Sequence, residues 1–139
     1  GSASDRTMTD EVAAALTGVP VVVLAGELDL PDTAAALSRL DVLVTGDTGP
    51  MHLAAAVDVP VVALFGPSDP ARYGPRATQE RILRADLPCS PCGLVRLPPV
   101  RCRGHVPDCM DAITSDRVVD AALTLLADRR PVMRTVTAS

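Results

Sequence analysis

Short, wholly apolar runs alternate along this chain with stretches of helix-forming residues, and no other feature restricts its fold so tightly. Residues 21–24 (V-V-V-L), 41–45 (D-V-L-V-T) and 60–65 (P-V-V-A-L-F) show almost no alternation of apolar and polar side chains. Strands of that kind are buried on both faces, the condition met in a parallel sheet. Between them lie helical patterns. Residues 9–16 open on Thr9, place acids in the first turn and stop at Gly18. Residues 32–39 follow Pro31 and offer Leu37 and Leu40 to a core, and M-H-L-A-A-A-V follows the turn Gly46-Asp47-Thr48-Gly49-Pro50. A shorter strand is expected at 81–84. The last helix is expected over about 115–129, capped by Ser115, with Val118, Val119, Ala122 and Leu126 on one face and Pro131 as its stop. This order gives an α/β fold, a Rossmann-like parallel sheet with helices on both faces.

The 139 residues suffice for one core, so residues 1–139 read as a single domain, with a Cys- and Pro-rich loop at about 86–112. The chain opens on a loop and a helix with no strand before them. That suggests a strand missing upstream, a larger parent protein, and a sheet edge through which two copies could pair as a homodimer.

Composition then removes classes of function. The net charge of −4 gives no basic field for a polynucleotide, so no nucleic-acid partner is expected, and one Tyr, one Phe and no Trp exclude a base-stacking platform. All 13 basic residues are Arg, which excludes a Schiff-base lysine and the lysine of a P-loop. Backbone amides and arginines remain for phosphate. Without an apolar span or a signal peptide, the expected location is cytoplasmic.

In an open parallel sheet, ligands gather at the carboxyl ends of the strands, where helix N-termini present free amides and partial positive charge. The turn at 46–52 suits a pyrophosphate. Gly49 lets backbone approach, Pro50 fits a first helical position, and the amides of Met51 and His52 would face an anion. Thr48 adds a hydroxyl, while Asp47, an acceptor that repels anions, suits sugar hydroxyls. The plainer alternative is a tight turn in which Asp47 and Thr48 cap the helix. His52 could act as a base, but a His that packs and bonds locally, or supports phosphate, fits its place better. A second strand end, F-G-P-S-D-P, is followed by Arg72 and Arg76, which could contact phosphate or stay solvated. Glu27, and Asp5 in the opening loop, are acids that could take a ribose diol.

Cys89, Cys92, Cys102 and Cys109 form a C-x2-C-x9-C-x6-C pattern in a segment without regular structure. Four thiols so close together suit a structural zinc, with an iron–sulfur cluster as the lesser metal choice and disulfides or free thiols as alternatives. His105 between them is a loop residue or an auxiliary ligand. Arg96, Arg101 and Arg103 could face an anionic acceptor or a membrane surface, or simply water.

The combined string is more telling than its parts. L-A-G at 24–26, the helix to Leu37, V-L-V-T-G-D-T-G-P-M-H-L-A-A-A and then V-P-V-V-A-L-F-G-P-S-D-P resemble the C-terminal half of glycosyltransferase family 9, the heptosyltransferases of lipopolysaccharide assembly. The resemblance implies a GT-B architecture in which this half binds a nucleotide-diphosphate sugar resembling ADP-heptose. It implies that Asp47 contacts the donor sugar, that residues 48–52 surround the diphosphate, and that Asp5 lies near the nucleoside. The inverting attack in such enzymes uses a carboxylate base from an N-terminal half that binds a glycan or lipid-linked acceptor beside the inner membrane. Nothing here corresponds to that half, so no catalytic residue is assigned, the chain alone is expected to be inactive, and transfer would need no metal. A rival reading is a non-enzymatic, metal-binding interaction module on an α/β core. A small flavodoxin-like protein is a third.

Overall fold

The computed structural model describes residues 1–77, 79–96 and 98–128. The chain divides into two compact units, Gly1–Ala36 and Leu37–Ser139.

The first unit is built around helix α1 (Arg6–Ala15), entered through a 3-10 turn at Ala3–Asp5. The expected opening loop is therefore helical, and the helix begins three residues before Thr9. Asp5 explains the early start: its carboxylate accepts from the Ser2 N–H at 2.7 Å and the Ser2 hydroxyl at 3.0 Å, while its own N–H donates to the Ser2 carbonyl at 3.0 Å. Thr9 does not cap; its hydroxyl donates back to the Arg6 carbonyl at 2.8 Å. Gly26 has a φ of 75°, and a Cβ there would stand 2.7 Å from the Ala3 Cα, so only glycine fits. Helix α2 (Leu30–Leu37) starts two residues earlier than expected, because the Asp29 carboxylate accepts from the Asp32 N–H at 2.8 Å.

Residues 21–24 are not a strand, which corrects the sequence reading. Val22 is 78% exposed, and the segment's one backbone–backbone bond among the described residues brings the Glu27 N–H to the Leu24 carbonyl. A β-branched run favours extended backbone, but a strand exists only where a neighbour completes its ladder.

The second unit holds a parallel sheet in the order β1 (Leu43–Gly46), β2 (Val61–Phe65), β3 (Glu80–Arg84), with Gly46 level with Leu64. Helix α3 (Gly49–Ala56) joins β1 to β2, and α4 (Pro70–Tyr73) follows β2. After β3 come a short α5 (Asp108–Asp111) and a long α6 (Ser115–Asp128). Alternate residues of β2 face two cores. Val61, Ala63 and Phe65 pack with Leu37, Met51 and Ala54, whereas Val62 packs with Ala121 and Leu125 of α6. Both faces are covered, as a both-faces-apolar strand requires, and burying side chains such as Phe65 contributes about 1.5–3 kcal/mol each.

Three details depart from expectation. β1 is an end strand of the three, so it is half-buried rather than enclosed, and Val44 is 43% exposed. Leu40 lies beyond the end of α2 at the surface, leaving Leu37 alone in the core. On α6 the inward face is Val118, Ala121, Ala122 and Leu125, while Val119 and Leu126 are exposed. The N-cap sits at Thr114 rather than Ser115, its carbonyl receiving the Val118 N–H and its hydroxyl the Arg117 N–H, while packing against Val62 selects the inward face. The expected stop at 129–131 lies outside the described residues. No helix among the described residues is long and apolar enough to cross a membrane.

Candidate functional site

Two turns, 46–50 and 66–70, leave the carboxyl ends of adjacent parallel strands, and each leads into a helix with proline in its first turn. Their surroundings differ.

At the end of β1, Asp47, Thr48, Gly49, Pro50 and His52 are exposed, and Met51 is buried in the core. Thr48 occupies the N-cap of α3 with extended backbone (φ −143°, ψ 165°), yet its hydroxyl caps nothing. It contacts the Thr45 hydroxyl at 3.1 Å and the Gly46 carbonyl at 3.4 Å instead. Asp47 has no hydrogen bond or ion pair among the described residues, so neither side chain performs the capping role of the plainer alternative. A Cβ on Gly49 would meet nothing within 4 Å. Among the described residues nothing covers the Gly49 side of the helix tip.

One expected donor is spent: the Met51 N–H donates to the Thr48 carbonyl at 3.1 Å. Pro50 has no N–H, so the Gly49 amide is left without a partner within the helix, and the His52 amide, the other expected donor, makes no bond to the Thr48 carbonyl. The expectation that His52 packs locally is corrected as well, for its side chain faces solvent with no hydrogen bond among the described residues.

The turn after β2 is occupied. The Asp69 carboxylate caps α4 by accepting from the Ala71 N–H at 2.9 Å. The buried Ser90 hydroxyl donates to the Gly66 carbonyl at 2.7 Å, and the Gly93 N–H donates to the Pro67 carbonyl at 2.7 Å. A Cβ on Gly66 would lie 2.6 Å from Met110 Sδ and 3.1 Å from Cys109 Sγ. The cysteine loop is thus fastened onto the end of β2, with the Arg84 guanidinium donating to the Ser90 carbonyl at 3.1 Å. Sequence reasoning missed Ser90, and it had Gly66 only as part of the strand-end turn. The one signal was a small polar residue inside C-S-P-C, which does not reveal what it reaches.

Arg72 and Arg76 are exposed on and just after α4, with the Arg72 guanidinium 5.1 Å from the centre of the Tyr73 ring. In the first unit both candidate acids have local partners. Glu27 pairs with Arg6, which also reaches the Ala25 carbonyl. The Ser2 N–H, and then the Ser2 hydroxyl, hold the Asp5 carboxyl below its ordinary value.

All four cysteines are free thiols and all line one cavity of about 140 Å³ beside Pro67. Burial pushes the Cys109 thiol up from its ordinary value, helped by the neighbouring Cys92, Cys102 and Cys89. Among the described residues, no three His, Cys, Asp or Glu side chains already converge as a ligand set. His105 pairs with Asp108 at 3.5 Å.

With this geometry in place, comparison with known proteins is informative. Residues 1–96 match the family described as glycosyltransferase family 9 (heptosyltransferase). The chain is 39% identical over 92 residues to lipopolysaccharide heptosyltransferase 1 of Pseudomonas aeruginosa, covering 66% of this chain and 25% of that protein. It superposes with a TM-score of 0.74 and 31% identity on the E. coli ADP-heptose LPS heptosyltransferase II, covering 91% of this chain and 35% of that one. A family 9 glycosyl transferase from Veillonella parvula gives 0.73 at 31% identity, covering 93% and 36%. The chain spans about a quarter of the length of the curated relatives it matches. The α/β expectation holds, and the likeness is to part of a GT-B enzyme.

Proposed function

The chain belongs to glycosyltransferase family 9, the heptosyltransferases, and from that premise we propose that residues 46–52 seat the diphosphate of a nucleotide-diphosphate sugar, ADP-heptose or a close relative. The observation that carries this reading is the uncapped, exposed start of α3 beside an unpaired Asp47. The Gly49 amide and the helix dipole would bind the diphosphate, and they would stabilise it further as it leaves with a growing negative charge. Thr48 contributes its hydroxyl, and Arg72 and Arg76 bring positive charge to the same edge of the sheet. Asp47 accepts hydrogen bonds from the donor sugar.

This chain stabilises the leaving group; an inverting transfer also needs a carboxylate base at the acceptor hydroxyl. We assign that role to none of the residues named here. The base and the lipopolysaccharide acceptor site belong to the remainder of such an enzyme.

Calorimetric titration tests the reading in two arms. Gly49→Val puts a side chain into the space the diphosphate needs, at a position where a Cβ meets nothing within 4 Å among the described residues, and should lower the affinity for both ADP and ADP-sugar about tenfold or more. Asp47→Ala should weaken only the sugar-bearing ligand, by a comparable factor. Indifference of both ligands to both changes overturns the proposal.

A further inference from the structure

The cysteine loop carries little core of its own. Between residues 86 and 112, only Ser90 and Cys109 are buried among the described residues, and Leu94, Val95, Val100 and Val106 are all exposed. A segment that orders so many residues without burying apolar side chains lacks the usual compensation for lost chain entropy. Yet it sits in one place, with four reduced thiols around a single cavity. We propose that these thiols are the ligands of one zinc ion, which cross-links the loop and closes the cavity.

Three of the ligands are already held. Cys89 and Cys92 flank Ser90 and Gly93, whose hydroxyl and N–H are bonded to the Gly66 and Pro67 carbonyls. Cys109 is buried with its sulfur close against Gly66. These three approach the cavity from backbone tied to the end of β2. Cys102 lies in a 3-10 turn (Val100–Cys102) between Gly93 and Gly104, both of which have positive φ. Among the described residues the hydrogen bonds of that turn run within the loop itself, from the Cys102 N–H to the Pro99 carbonyl, from Arg103 Nε to the Pro98 carbonyl and from the Arg101 guanidinium to the Cys102 sulfur. The four sulfurs line the cavity, and among the described residues no three of them converge as a finished ligand set. A tetrahedral Zn–S distance of about 2.3 Å requires the sulfurs to draw together, so binding the ion would tie the separate parts of the loop to one another. Each thiol gives its proton to solvent as its sulfur binds. Zinc is chosen over copper or iron because four thiolates with C-x2-C spacing make a closed structural site.

The test uses the whole chain, purified reduced and stripped of metal, with zinc alone as the probe. One zinc per chain should bind, with all four thiols protected from a thiol-reactive dye and X-ray absorption showing four sulfurs at about 2.3 Å. Cobalt in its place should give the thiolate charge-transfer bands of a tetrahedral site. Cys92→Ser alters an exposed residue, so the β2 core stays intact, and it should cost about tenfold or more in zinc affinity. Cys102→Ser should leave a weaker site with three sulfurs. Substoichiometric zinc, thiols equally reactive with and without zinc, disulfides in the reduced preparation, or iron accompanied by inorganic sulfide would each overturn the assignment. None of these readouts involves a nucleotide, so the donor proposal stands or falls separately.

Discussion

The turn after β1 and the turn after β2 are written in nearly the same residues, G-D-T-G-P and G-P-S-D-P, yet one is open and the other is sealed. Both end a parallel strand and start a helix on a proline. In the first, the N-cap Thr48 leaves the helix uncapped and Gly49 faces empty space. In the second, Asp69 caps the helix, and Ser90, Met110 and Cys109 close over Gly66. The difference teaches that a glycine in such a turn serves either of two ends: admitting a ligand or admitting another part of the chain. What lies within 4 Å of its missing Cβ separates them.

The sharpest way to break this comparison is to place the same side chain in both turns. Gly66→Val should destabilise the chain by about 1–3 kcal/mol in urea unfolding, since Met110 and Cys109 would have to move. Gly49→Val should cost no more than about 0.5 kcal/mol and act on donor binding alone. Equal losses at the two sites would remove the distinction.

Ser90→Ala comes next. It leaves the buried Gly66 carbonyl without its partner and should cost about 1–2 kcal/mol, and Ser90→Thr should recover part of it if the hydroxyl is what matters. The caps then separate the two helices: Asp69→Ala should lose about 1 kcal/mol, whereas Thr48→Ala, at a cap position that makes no capping bond, should lose only a few tenths. A loss at Thr48 as large as that at Asp69 would mean that the helix tip is capped after all.

The smallest effect belongs to a third helix start, at Asp5. Its folded pKa is depressed, so its contribution is present above the unfolded value and disappears as pH falls through the folded one. By NMR its carboxyl should titrate below 3.8, and Ser2→Ala should restore only part of the shift, because the Ser2 backbone N–H is the larger cause.

Much of this was legible in advance. The runs at 41–45 and 60–65 and the helix after Pro50 were readable because local pattern and tertiary need agree there: β2 is apolar on both faces and buried on both. The run at 21–24 has the same pattern and makes no strand. On α6, small and apolar residues at 118, 119, 121, 122, 125 and 126 permit two overlapping faces, and only packing on Val62 selects the one bearing Ala121 and Leu125. In the candidate site, the residues of 46–52 could be named from their chemistry alone, but the spent Met51 amide and the idle Thr48 hydroxyl could not. The partner of each is a backbone carbonyl or hydroxyl placed by the path of the chain.

The amino-acid order determined the α/β class, the strand ends at which chemistry gathers, and the choice of amides and arginines over lysine. Those follow from side-chain polarity, backbone preference and the inventory of donors, which are properties of residues and their near neighbours. The three-dimensional arrangement decided which glycine turn stayed open, and it brought four cysteines spread over residues 89–109 to one cavity at the end of β2. Such outcomes depend on distances between residues far apart in the chain, and those are set by how the two cores pack.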